Sequence, residues 1–154
     1  MTIVRQRARR RRGATLVETA VVLSTFLLFV FGVFEYGRFV MTRHLLENAA
    51  REGARIAVVS TDSLTTADIE ALVRAKLTGQ VSTATIQVYK ADPATGANLG
   101  SWNTAGYGEC IAIEITHNYK PLFPPFSFPL IGNVTFLDDP TLVTARCLMR
   151  SEAN

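Results

Sequence analysis

The chain begins with a polar, arginine-bearing stretch and then turns sharply apolar. Between Ala14 and Phe34 the sole ionisable side chain is Glu18, and Thr19 to Phe34 (TAVVLSTFLLFVFGVF) carries none. At about 1.5 Å per residue those residues span roughly 31 Å, close to a hydrocarbon core of ~30 Å, so the pattern predicts a transmembrane helix at residues 14–36. The helical character does not stop there. FEYGRFVMTRHLLENAAREGARIAVVS, from Phe34, contains no proline and favours Leu, Glu, Ala, Met and Arg. Glu35 with Arg38, Glu47 with Arg51 and Glu52 with Arg55 are spaced for support along one helix. A helix from Ala14 to Val59 would be roughly 69 Å long, which leaves residues 37–59 as an extracytoplasmic continuation of the membrane helix. Along it Ala49, Gly53 and Ala57 recur every four residues, with Ala50 and Ala54 beside them. Such a stripe admits close approach of another backbone, either a neighbouring helix or the protein's own sheet. Gly32 and Gly37 bracket the membrane exit, where a bend is open to the chain.

Residues 60–154 read as a small α+β exported domain. After STDS (Ser60 to Ser63), Thr65 as N-cap with Asp68 three residues on announces a short second helix. Ile69, Leu72, Val73 and Leu77 are its apolar positions, and Gly79 closes it. Strand patterns follow. Thr83 to Lys90 sets Ile86 and Val88 on one face, and Ile111, Ile113 and Ile115 alternate with Ala112, Glu114 and Thr116. Between them DPATGANLGSWNTAGYG (Asp92 to Gly108) reads as a long hairpin loop, from which Trp102 and Tyr107 either meet a partner or, for Trp102, fold back onto the sheet. PLFPPFSFPLIG (Pro121 to Gly132) has too many prolines for a central strand and reads as a stiff apolar connection, placed to cap the core or to dock on the long helix, a membrane or another subunit. Leu142 to Arg150 is a closing strand. The expected fold is therefore a long N-terminal helix, a short second helix and a three- to four-stranded antiparallel sheet, an α+β arrangement.

Charge changes the picture at one end only. The formal net charge is +3, but Arg5, Arg7, Arg9, Arg10, Arg11 and Arg12 lie in the leader; without these six, 10 basic face 13 acidic residues. The basicity belongs to a terminal tag, which argues against nucleic acid as a partner. Arginines ahead of the apolar run place the N-terminus in the cytoplasm and the C-terminal domain outside a single-pass inner (cytoplasmic) membrane anchor. A cleaved secretory signal fits poorly. The apolar run exceeds the usual ~7 to 15 residues, no small-x-small site precedes Glu35, and the helix continues. An uncleaved signal anchor and a pilin-type leader both remain.

The junction itself carries chemistry. Gly13 follows four arginines (Arg9 to Arg12) and precedes the apolar run, and Glu18 stands five residues on. Glycine leaves the backbone unhindered at a scissile bond, and the arginines hold that bond at the cytoplasmic surface. Cleavage between Gly13 and Ala14 would remove residues 1–13 and free the α-amino group of Ala14, which is cationic near neutral pH. Glu18, costly inside a membrane without a partner, could pair with that amine on its own helix or on the next subunit, which would set an axial register. Alternatively, it is a carboxylate in a first helical turn, favoured by the helix dipole and reaching the interface.

Cys110 and Cys147 fall in or beside predicted strands on the oxidising side of the membrane and are a candidate disulfide. Closing their loop would contribute up to about 4 kcal/mol. Two separate buried thiols are the alternative. His44 and His117 stand alone without partners at metal-ligand spacing, and no phosphate loop, HExxH or nucleophile elbow occurs. No catalytic residue, metal or cofactor is expected, and the chain is not read as an enzyme.

RRRRGATLVETAVVLSTFLLFVFGVFEYGRFVMTRHLLENAAREGARIA resembles the N-terminal signature of TadE-like proteins, pseudopilins of the tight-adherence (Flp pilus) system. NAAREGAR (Asn48 to Arg55) is especially similar, and VYK (Val88 to Lys90), NYKPLFP (Asn118 to Pro124) and TARCLMRSE (Thr144 to Glu152) resemble parts of that family's exported domain. The resemblance implies a membrane-anchored minor pilin or pseudopilin, processed after Gly13 by a prepilin peptidase. Its partners would be membrane lipid, other pilin helices and the pilus assembly platform. Thr19 follows Glu18 where major Flp pilins have tyrosine, and those pilins are short and lack a folded domain; both features favour a minor subunit. The alternative from a different class is an uncleaved single-pass protein whose exported domain binds an envelope or extracellular partner.

Overall fold

A computed structural model describes residues 4–61, 63–77, 81, 83–122, 126–128, 132–134 and 140–151, with side chains described from Gly13 onward except those of 126–128 and 132–134. The element order is helix α1 (Val4–Val59), helix α2 (Thr66–Lys76), and strands β1 (Thr85–Ala91), β2 (Asn98–Gly100), β3 (Cys110–Tyr119), β4 (Phe126–Phe128), β5 (Gly132–Val134) and β6 (Thr141–Arg150), with a 3-10 turn at Trp102–Thr104. This is the expected α+β fold. The chain divides into two compact units, Met1–Gly37 with Leu122–Phe136, and Arg38–Pro121 with Leu137–Asn154.

The second unit is built on an antiparallel sheet in the order β2-β1-β3-β6. The expected alternation in β3 places Ile111, Ile113 and Ile115, all fully buried, in a core shared with Leu46, Ala50, Ala54, Ile69 and Val73. The opposite face of the same strand is not bare. Ala112 is buried there with Tyr89 and Ala91.

α2 starts where its sequence says. The Thr65 side chain accepts from the Asp68 amide at 3.3 Å, and the Thr65 amide donates to the Asp68 carboxylate at 2.9 Å, closing a capping box. Ile69, Val73 and Leu77 are buried, but Leu72, expected among them, is 43% exposed. At about 100° per residue Val73 and Leu77 turn the buried arc to one side of Ile69, and Leu72 falls on the other. Gly79, the expected stop, lies outside the described residues; Leu77 is the C-cap and its amide donates to the Arg74 carbonyl at 3.0 Å.

The long loop after β1 is more ordered than its composition suggests. Asp92 organises its first turn: the carboxylate accepts from the amide of Ala94 at 2.7 Å, and the carbonyl accepts from that of Gly96 at 2.8 Å. Gly96 has φ +69°, which glycine adopts without strain. The loop then adds β2 to the sheet edge and folds Trp102 inward. That side chain is 1% exposed, and its indole N–H donates to the Thr66 hydroxyl at 2.9 Å, so it folds back into its own domain. Tyr107 remains exposed.

Candidate functional site: the membrane anchor and its continuation

In the first unit α1 is bare where it is most apolar. Leu16, Val17, Val21, Val22, Phe26 and Phe29 are all more than half exposed, and the apolar window near the N-terminus is long enough to cross a membrane and entirely unburied. A surface of that kind in water would expose far more contiguous apolar area than a soluble monomer tolerates. The hydroxyls in the run are satisfied without solvent: Thr19, Ser24 and Thr25 donate to the carbonyls of Thr15, Ala20 and Val21 at 2.8, 2.8 and 2.9 Å. Together these features suit a helix surrounded by lipid.

At the start of the run Gly13, Ala14 and Glu18 are all exposed, and a β-carbon added at Gly13 would meet nothing within 4 Å. Ala14 and Glu18, four residues apart in α1, share a helix face one turn apart. The leader residues Arg9 to Arg12 have helical backbone, and their side chains lie outside the described residues.

At the other end of the apolar run Glu35 is fully buried, and its carboxylate accepts the Leu122 amide N–H at 3.1 Å. Spacing alone suggested only a local partner for this residue. A hydrogen bond to a backbone amide 87 positions away has no signal in the sequence.

The small-residue stripe in the second unit is occupied internally. Ala49, Ala50, Ala54 and Ala57 are buried. A β-carbon at Gly53 would collide with Val73 Cγ2 and stand 2.8 Å from Ile113 Cδ1. The stripe thus seats α1 on α2 and β3 of its own domain. The local ion pairs lie on the outer side: Arg43 Nε to Glu47 at 3.0 Å, Arg51 to Glu47 at 3.9 Å and Arg55 to Glu52 at 3.2 Å. Phe39 meets Tyr119 edge to face at 5.6 Å, and the Arg38 guanidinium lies over the same ring at 5.6 Å.

The expected disulfide is not formed. Cys110 and Cys147 are free and half-buried. Cys147 faces Ile113 across the β3–β6 ladder, whereas Cys110 faces Arg150. Three ladder positions separate them by about 10 Å along the strand, beyond the ~7 Å reach of a disulfide, and odd spacing puts them on opposite faces of the sheet. Burial pushes the Cys147 thiol pKa up.

Sequence reasoning also missed a polar cluster on the outer sheet face. Tyr89 donates to the Glu114 carboxylate at 2.9 Å, and Arg146 donates to the same oxygen from Nε at 2.9 Å and from its terminal nitrogen at 2.6 Å. Burial, and then the neighbouring Glu114, raise the Tyr89 pKa. This arrangement satisfies three polar groups by pairing them with one another and ties β1, β3 and β6 together. His44 is exposed beside Glu47, its Nδ1 3.9 Å from the carboxylate, while His117 is buried.

An unburied membrane-length helix preceded by an arginine tag and continued into a small α+β domain narrows the choice of family. Residues 13–55 match the family of TadE-like proteins. No curated protein and no solved structure matches the chain. The TadE-like match begins at Gly13, takes in Glu18, the whole apolar run and NAAREGAR, and stops inside α1. TadE-like components of the tight-adherence pilus are structural proteins, and a TadE-like segment on a long apolar N-terminal helix fits a membrane-anchored component of that pilus.

Proposed function

We propose that this chain is a minor pilin or pseudopilin of a tight-adherence (Flp type IV) pilus, cut after Gly13 by a prepilin peptidase and held in the inner membrane by α1 with its domain outside. The observation that carries this reading is the TadE-like match, which starts at the proposed scissile bond and coincides with the unburied apolar run. The exposed, open Gly13 supports access by a membrane peptidase. Cleavage would place the cationic Ala14 amine one helical turn from Glu18, close enough to pair on the same helix or to leave Glu18 for the amine of the next subunit. The basic tag would stay in the cytoplasm. Other pilin helices and the assembly platform are the partners this role requires, and the bare face of α1 from Leu16 to Val33 is the surface they would share with lipid.

Glu18→Ala tests the assembly role. The variant is expected to enter the membrane as the wild type does, because removing a charge favours insertion, but to be depleted from sheared pilus fractions. Wild-type recovery in those fractions would reject Glu18 as the register contact.

A further inference from the structure

The segment from Pro121 to Leu137 (PLFPPFSFPLIGNVTFL) contains no ionisable side chain, an unusual property for 17 consecutive residues of an exported domain. Within it β4 and β5 form an antiparallel pair, with Phe126 opposite Val134, Ser127 opposite Asn133 and Phe128 opposite Gly132. Among the described residues this pair does not join the four-stranded sheet; it is a sheet of its own. It belongs to the same compact unit as residues 1–37, the half of α1 that carries the apolar run. Its entry is fixed at a defined height by the Leu122 amide, which donates to the Glu35 carboxylate at 3.1 Å. Leu122 itself leaves 61% of its surface exposed there.

Glu35 is the first ionisable residue after the apolar run, and it lies roughly 31 Å along the helix axis from Ala14, at the outer edge of a ~30 Å hydrocarbon core. α1 is more than half exposed at Leu16, Val17, Val21, Val22 and Phe26, whereas Leu27 is 39% exposed and Leu28, Val30, Phe31 and Gly32 are half-covered, so cover begins about 20 Å from Ala14, inside the outer leaflet. We infer that the β4–β5 pair is a second membrane contact, resting in the outer-leaflet interface beside the apolar part of α1, whose compact unit it shares, at the level fixed by Glu35. The depth follows from the backbone. A two-stranded pair leaves N–H and C=O groups open on both edges, which hydrocarbon does not tolerate but the wet boundary of headgroups and acyl chains does. Lipid, and not a protein groove, is the occupant because β4 and β5 share their compact unit with the membrane-spanning turns of α1 and Leu122 is bonded to Glu35 at the end of those turns. The inference rests on α1 crossing the membrane and on neither cleavage at Gly13 nor entry into a filament.

The test uses the full chain in phosphatidylcholine and phosphatidylglycerol vesicles whose acyl chains are brominated close to the headgroup. Wild-type emission comes from Trp102 alone, which is 1% exposed in the other unit and supplies the background. Phe126→Trp and Phe128→Trp are made separately, so that misfolding of one leaves the other informative, and Leu99→Trp on β2 serves as a domain control. The added emission at 126 and 128 should be blue-shifted, strongly quenched by the brominated lipid and shielded from aqueous acrylamide, with Leu99→Trp showing the reverse. Emission at 126 and 128 that acrylamide quenches and bromine does not would overturn the inference, as would emission that neither reaches, since the pair would then be packed on protein. Phe26→Trp, about 18 Å from Ala14 and so near the bilayer centre, is read in vesicles brominated at the chain ends and separates the two claims: quenched there while 126 and 128 are not quenched by the headgroup-proximal label, it leaves the anchor standing and removes the β4–β5 contact; unquenched, it removes both.

Discussion

Gly53 shows how far a single residue commits the outer part of α1. With Val73 Cγ2 and Ile113 Cδ1 already occupying the space of a β-carbon, Gly53→Val should destabilise the domain by about 1–3 kcal/mol, read as a lower melting temperature of the full chain in detergent. An unchanged melting temperature would mean that the stripe is free and available to a neighbouring helix. His117 gives the pH dependence. Burial lowers its pKa below the ordinary 6.5, so the folded protein holds it neutral where the unfolded chain would take up a proton. The unfolded state therefore binds more protons between the two values. This contribution to stability is fully present above pH 6.5 and is lost as pH falls through the folded-state pKa. Melting temperature should drop between pH 7 and pH 5, and His117→Gln should flatten that part of the curve.

At the scale of elements, local chemistry was legible and register was not. Thr65 and Asp68 announced α2 because a capping box is a contact between residues three apart, and the isoleucines of β3 announced a strand because alternation is local. The burial of Trp102 depended on Thr66, 36 positions earlier, so composition showed only a loop. The cysteines failed for a related reason. Their strands were foreseen, but the side-chain period of two makes the face of each cysteine depend on the β3–β6 register, which no local pattern specifies. The register carries its own prediction: without reductant, both thiols should alkylate in the denatured protein, and in the native protein Cys147 should react slowly because burial raises its pKa. A native mass two hydrogens light, with no alkylation after denaturation, would contradict the register.

For the whole molecule, the sequence divides naturally at residue 60, between a helix and an exported domain. The structure groups the chain differently: the outer part of α1 from Arg38 belongs with the main sheet, and Leu122–Phe136 belongs with the apolar part of the helix. Nothing local in the proline-rich segment says which of its neighbours it accompanies; the bond from Leu122 to Glu35 does. The anchor was legible because a run of membrane length is a property of composition, and the TadE-like match covers that same run. If this anchor is a pilin-type helix delivered by a leader ending at Gly13, the intact mass of the protein extracted from membranes of a host that carries the prepilin peptidase should be that of a chain lacking residues 1–13 and starting at Ala14. A chain that retains Arg9 to Arg12, or one cut on the far side of the apolar run, would contradict it.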